Sequence, residues 1–414
     1  MKSILHAGIA AACLTAAVPS AAQVRSVSRI EFGPDNLLFV ADWKDASVHA
    51  IAVPAPAAKS AKAFNLLDLQ AAMERTLGTR TFAVEDLKAR PETGEVYLAV
   101  TYGPQALPAI LAVAADGVIR KIDLSKDASA PVALRDAPAR ELTFWNNIPE
   151  RSLTVSDMRW HAGKLYVAGL SNQTFASTLR VIDWKARGTQ TLTSIGIFHT
   201  SHDQMETRAP IRTMSFVTLN GVDYLIAAYM CTPLVTIPVA DLKDGAHITG
   251  KTIAELGYGN TPIDMVTYSA PDETGKPTDY LTVTNVNRNA ATISLASLTA
   301  AVARPGLVKD VPWSVITGVD VIQSPIAGAI AIDNFGDKQF VLARRDLATG
   351  DLQLVTVQKA VKLRISDYVS EYDFPGYTYA PGKQTQYIKP IEDGLMREEG
   401  YASPIARSGP KVSR

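Results

Sequence analysis

The sequence predicts an all-β protein, a β-propeller of six four-stranded blades, or seven if residues 359–414 supply closing strands. Three observations predict it. The apolar pattern runs mostly at period two and is rich in Val, Ile, Thr and Tyr, the signature of strands. A strand–turn–strand unit recurs roughly every 50–70 residues, and such units bury both faces only by stacking on one another. Finally, no linker divides the 414 residues, a length that one large β-domain can occupy.

The chain opens MKSILHAGIAAACLTAAVPSAAQ. Lys2, the apolar run Ile4 to Val18 and the small residues Ser20-Ala21-Ala22 predict a signal peptide over 1–22, cut after Ala22. That run is shorter than the about 20 residues a membrane span needs. Cys13 lies inside it, without the large apolar residue three positions earlier that a lipid anchor requires. A periplasmic or secreted protein with no membrane span is therefore expected. Cys231 is the one cysteine left after the cut, so an intramolecular disulfide is excluded and a packed core must supply the stability. The 41 basic and 41 acidic residues are mixed along the chain, which argues against nucleic acid and against a polybasic membrane surface.

The units follow in order. Val27-Ser28-Arg29-Ile30 leads through Gly33-Pro34-Asp35-Asn36 to LLFVAD, and Val84-Glu85-Asp86-Leu87 through Gly94 to EVYLAV. Val155-Ser156-Asp157-Met158 leads through Gly163 to LYVAG, and Ile211-Arg212-Thr213-Met214 through Asn220-Gly221 to VDYLIAA. Weaker copies open at Ile263-Asp264 and Ile326-Ala327. One segment breaks the strand pattern: 66–77 (LLDLQAAMERTL) has helical spacing and is stopped by Gly78. The first unit, IEFGPDNLLFVADWKDASVHAIAV, resembles an NHL-type propeller repeat in its Gly-Pro-Asp turn and its strand ending Val-Ala-Asp. That resemblance covers about 25 residues and implies fold alone. The expected domains are the leader 1–22, a propeller over 23–365 and a Tyr-, Pro- and Gly-rich extension over 366–414.

In a propeller, the loops leading into the innermost strands share a face with those joining second to third strands. That geometry gathers His199, His202, Glu206 and Arg208 with Cys231, Asn172, Asn285 and Arg288, and sets Glu85, Asp157, Arg212 and Asp264 at the channel mouth. His199-x-x-His202-x-x-Met205 with Cys231 offers imidazole, thiolate and thioether, a set suited to copper. Glu85, Asp157 and Asp264, with Asn172 and Asn285, offer oxygen ligands for a hard cation such as Ca²⁺. That second arrangement is similar to propeller lactonases of the gluconolactonase type, which would use the metal to polarise an ester carbonyl. Against both stands a surface loop near a buried thiol, with carboxylates simply paired to arginines. Cys-Thr-Pro in a turn supplies no helix N-terminus to activate Cys231 as a nucleophile. The chain has no Gly-x-Ser-x-Gly elbow, no C-x-x-C-H haem attachment and no phosphate-binding glycine loop. His49 and His161 read as structural and His247 as exposed.

The expected function is a ligand- or partner-binding accessory module. His199, His202, Glu206, Arg208, Arg212, Cys231, Asn172, Asn285 and Arg288 would face an anionic or carbonyl-bearing small molecule, or a periplasmic protein. The alternatives are a metal-dependent hydrolase or lactonase using Glu85, Asp157 and Asp264, and a copper-binding redox accessory protein using His199, His202 and Cys231.

Overall fold

The computed structural model describes residues 23–359, apart from 57–60, 92, 187, 273–274, 313–314, 325, 327 and 347. The leader over 1–22, the extension over 366–414 and any closing strands from 360 onward lie outside the described residues.

The β-rich arrangement is propeller-like, but the expected count of six or seven four-stranded blades is wrong. There are four four-stranded sheets and one continuous sheet of nine strands. The four are built on Ile30–Phe32, Phe82–Ala89, Pro262–Pro271 and Ala329–Phe335 as first strands. The large sheet runs from Asp157–His161 through Lys164–Leu170, Ser177–Asp183 and Thr189–His199. There it joins His247–Glu255 in parallel and returns through Pro233–Pro238 and Val222–Ala228 to Thr213–Leu219. Its two end strands lie against each other, so this eight-strand path nearly closes like a barrel. The join explains the miscount. Thr189–His199 is 11 residues long, and Ser194–Ile197 pairs with His247–Gly250. Alternating hydrophobicity reports which face of a strand is buried, and it does not report whether the strand's edge is free or paired.

The helix expected over 66–77 is α1, Leu69–Leu77, closed by Gly78 at φ +68°. It starts later than expected because Asn65–Leu66 is a strand, paired with Leu352–Gln358 as the last member of that sheet. A second helix, α2 (Leu295–Ala303), was missed. Its cap is legible afterwards: the Ser294 side chain accepts the Ser297 N–H, the usual N-cap bond.

First strands of all the sheets, with Thr213–Leu219, stand side by side around a common axis. Aspartates stitch them together. Asp86 accepts the N–H of Ile30 (2.8 Å) and Asp157 that of Met214 (2.7 Å). Asp264 accepts from Ile332 (3.3 Å) and Asp333 from Ala89 (2.9 Å). In each case the acceptor lies on one first strand and the donor on the next. Each carboxylate also takes the N–H that follows it in its own strand. Toward Asp157–His161, where no aspartate bridges, Arg29 reaches the carbonyl of Ser156 (2.7 Å), and it also reaches that of Glu85 (3.1 Å).

Buried carboxylates need cations, and Lys88 and Arg159 supply them. Lys88 lies 3.3 Å from Glu31, and Arg159 contacts Asp264 at 2.7 Å, Asp157 at 3.4 Å and Glu31 at 3.8 Å. Arg29 lies 3.7 Å from Asp86, and Arg212 is attracted by Asp157. Burial opposes ionisation of several of these carboxylates. Burial, outweighing Lys88 and Arg159, pushes Glu31 up to about 7, and burial likewise pushes Asp86 up to about 6.

This predicts a pH dependence. Folded Glu31 holds its proton more tightly than the unfolded chain does, so its contribution is complete below the ordinary value of 4.5 and is lost as pH rises through about 7. The wild-type Tm should fall across that window, and Glu31→Gln should fall less, with the difference on the order of 2 kcal/mol. Parallel curves for the two proteins would remove Glu31 as the cause.

Candidate metal centre

Three chemistry-bearing side chains that are far apart in sequence meet at one end of the nine-stranded sheet. One ligand atom each of His199, His202 and Cys231 lies within 4.8 Å of the others. His199 ends the long strand Thr189–His199, and His202 ends the 3₁₀ turn Thr200–His202. Chain reversal follows through Asp203 in the left-handed region, and Gln204–Glu206 then pairs back on Ile197–His199. That short strand carries Glu206 to both imidazoles.

Glu206 bonds His199 Nδ1 through Oε2 and His202 Nδ1 through Oε1, each at 2.6 Å. An ionised carboxylate only accepts, so both rings donate from Nδ1, and Nε2 is the nitrogen that can serve as a ligand. Burial raises the Glu206 pKa, but the bonds from His199 and His202 outweigh it and hold the carboxyl below its usual range. The His199 ring is buried, and its Nε2 has no partner among the described residues. His202 is about half exposed and its ring lies 4.2 Å from that of His199.

Cys231 arrives from the turn between Val222–Ala228 and Pro233–Pro238. Cys231 and Thr232 are both left-handed, at φ +60° and +66°, a conformation that favours glycine and is rare for a β-branched residue. Side-chain bonds hold it there. Glu255, fully buried, accepts the Thr232 hydroxyl at 2.7 Å, the Thr200 hydroxyl at 2.5 Å and the Gly257 N–H at 2.9 Å. One carboxylate thus fastens the histidine turn to the cysteine turn. Burial pushes its pKa up against those three bonds. Gly257, at φ +101°, lets the Arg288 guanidinium pack on its backbone, where a Cβ would come within about 3.0 Å of it.

The donor set fits a transition metal. Ions of this class bind imidazole at about 2.0–2.1 Å and thiolate at about 2.3 Å, so bound ligand atoms lie roughly 3.3–3.8 Å apart. The three ligand atoms, within 4.8 Å of one another, lie near that range. Imidazoles whose other nitrogen is held by a carboxylate are the usual metal-binding arrangement.

The remaining residues of the expected site are placed as follows. Met205 is exposed, and its methyl packs beside Gly196. Strand alternation puts it on the face opposite Glu206. Asp157 and Asp264 use their carboxylate oxygens on backbone N–H groups, with Arg159 also on Asp264. Glu85 accepts from Thr101 at 2.6 Å. Asn172 and Arg208 are exposed, and the Asn172 N–H donates to Asp136 O. Asn285 is buried. Arg288 donates to Tyr258 O at 3.3 Å. Arg212 holds a buried Nε without a partner among the described residues. Glu255, Thr200 and Thr232 were not foreseen, since nothing in their local sequence marks them as partners across 23 to 55 positions.

No protein-family profile matches the chain, and no curated protein sequence does. Among solved structures, the chain is similar to extracellular domains 1–2 of Drosophila Semaphorin 1b. The two share 10% identity over 82% of this chain and 88% of that one, at a TM-score of 0.36. It is also similar to PorZ, a surface component of the type-IX secretion system of Porphyromonas gingivalis, at 10% identity, 82% and 37% coverage and a TM-score of 0.33. A putative 6-phosphogluconolactonase from Bacteroides uniformis gives 12% identity, 79% coverage of each chain and a TM-score of 0.28. The functional reading rests on the residues of the site alone.

The strained turn yields a prediction. Cys231→Gly should raise stability by about 1 kcal/mol, because glycine accepts the left-handed conformation without the Cβ penalty. Thermal unfolding measures it, and a loss of stability would show that the Cys231 side chain packs more favourably than its backbone is strained.

Proposed function

We propose that the chain is an exported metal-binding protein that holds a copper ion between His199 Nε2, His202 Nε2 and Cys231 Sγ. Its propeller-like scaffold, over the described residues 23–359 and opening on an NHL-like unit, positions the site. One observation carries the reading: His199, His202 and Cys231 each bring a ligand atom within 4.8 Å of the others, and Glu206 holds Nδ1 of both imidazoles, which leaves Nε2 to bind. Copper is favoured because two imidazoles and a thiolate are borderline-to-soft donors, and divalent copper heads the affinity order for such sites.

The ion would supply Lewis-acid or one-electron chemistry when bound. The protein's own residues do the rest. Glu206 fixes both tautomers and ring planes. Glu255 ties Thr200 to Thr232 and so sets the span between imidazoles and thiol. Cys231 gives up its proton on binding. Half-exposed His202 and exposed Met230 leave one side open, where a metal-handling partner would exchange the ion. An accessory role in metal delivery or electron transfer suits such an edge site better than a closed structural role.

The test is elemental mass spectrometry of the purified protein with competitive copper and zinc titrations. One copper per chain is expected, with a thiolate-to-copper absorption band in the visible. His202→Ala and Cys231→Ser should each weaken binding by about 100-fold, and Glu206→Gln by about 10–100-fold. Retention of copper in both ligand variants would sink the proposal.

A further inference from the structure

We propose that Tyr258 is a positioning residue for the His199/His202/Cys231 site: its hydroxyl ties the histidine turn to the segment 306–312, so that metal binding and the order of that segment are coupled. The coupling presupposes the metal reading, whereas the tie itself rests on hydrogen bonds outside the ligand set.

His199 is buried, and a hydroxyl holds the main chain on each side of it. Thr252 Oγ1 donates to Phe198 O at 2.7 Å, and the Tyr258 hydroxyl donates to Thr200 O at 3.0 Å. Thr200 O is also the carbonyl that closes the histidine turn, where it accepts the Asp203 N–H at 3.4 Å. That closing bond is long. Glu255 holds the Thr200 side chain, and Tyr258 holds its carbonyl.

Both hydroxyl-bearing residues are met from the other side by 306–312. The Leu307 N–H donates to Thr252 O at 2.8 Å, and the Val311 N–H donates to the Tyr258 hydroxyl at 3.0 Å. Tyr258 also donates to Asp310 Oδ1 at 2.7 Å, so its one phenolic proton serves Thr200 O and Asp310 together. Finally, the Asp310 N–H donates to Asp203 Oδ1 at 3.1 Å, one residue past His202. The segment therefore reaches the histidine turn directly at Asp203 and, through one residue each, at Phe198 and Thr200. Its outer side is open, with Val308 69% exposed.

His202 stands between Thr200 and Asp203, the two residues held in this way. A bound ion fixes His202 against His199, and a fixed turn presents Thr200 O and Asp203 Oδ1 to their partners. Linkage is reciprocal: whatever loosens those partners weakens the metal.

Hydrogen–deuterium exchange of the protein, metal-free and copper-loaded, tests the coupling. Copper should slow exchange of the Asp310 and Val311 N–H groups by roughly tenfold. Tyr258→Phe should weaken copper by roughly tenfold and shift the thiolate-to-copper band, because the imidazoles meet the ion at altered angles. In metal-free protein the same variant should speed exchange across 199–203. Tyr268→Phe, a buried tyrosine in the strand Pro262–Pro271, is the control and should change none of these. Copper that binds without slowing exchange at Asp310 and Val311 overturns the proposal, as does an equal effect of Tyr268→Phe. If Tyr258→Phe fails to fold, the wild-type exchange comparison decides. A wild-type protein that takes no copper refutes the metal reading. The tie is then judged on metal-free Tyr258→Phe, where unchanged exchange across 199–203 overturns it.

Discussion

The fold depends on aspartates that accept backbone N–H groups from the neighbouring first strand. Asp86, Asp157, Asp264 and Asp333 each join one strand to the next around the axis, and each also accepts the N–H that follows it in its own strand. A hydrogen bond to a charged group contributes about 1.5–3 kcal/mol, and removing a carboxylate would strand two buried donors. Arg159 and Lys88 belong to the same system, because the carboxylates stay buried only beside cations. The raised pKa values of Glu31 and Asp86 follow from that balance.

Two further carboxylates perform the same service for the His199/His202/Cys231 cluster. Glu206 orients rings, and Glu255 fixes the distance between the turns that carry them. The left-handed pair Cys231-Thr232 shows what that second restraint achieves: it keeps a thiol in a conformation that the backbone alone would give to glycine. Strain of this kind persists where surrounding bonds over-determine a position. The predicted gain in stability of Cys231→Gly, set against its loss of a donor, expresses the conflict.

Much of this was legible in sequence. The period-two pattern and recurring units announced the strands and the propeller-like ring, because alternation reports burial directly. Placing His199, His202 and Cys231 on one face followed from strand order, although their ligand motif matched no familiar spacing. What stayed hidden was edge pairing. Ser194–Ile197 looks the same whether its edge meets solvent or His247–Gly250. Asp157 and Asp264 were read as metal ligands because the sequence displays a carboxylate at a mouth and conceals the N–H that it accepts. Met205 was grouped by proximity along the chain, and strand alternation turned it away.

The two-residue strand Asn65–Leu66 also has a temporal meaning. It pairs with Leu354 and Val355, and the Phe64 N–H donates to the Thr356 hydroxyl across 292 positions. A contact of such span forms only after nearly all the described chain is available, and loop closure of that length slows folding. The sheet on Ala329–Phe335 therefore acts as a clasp made from both halves of the polypeptide. Until its late strands exist, an early segment lacks a partner and the circle of first strands has a gap, whereas the nine-stranded sheet draws only on residues 157–255. Closure of the ring thus couples the first and last parts of the described chain.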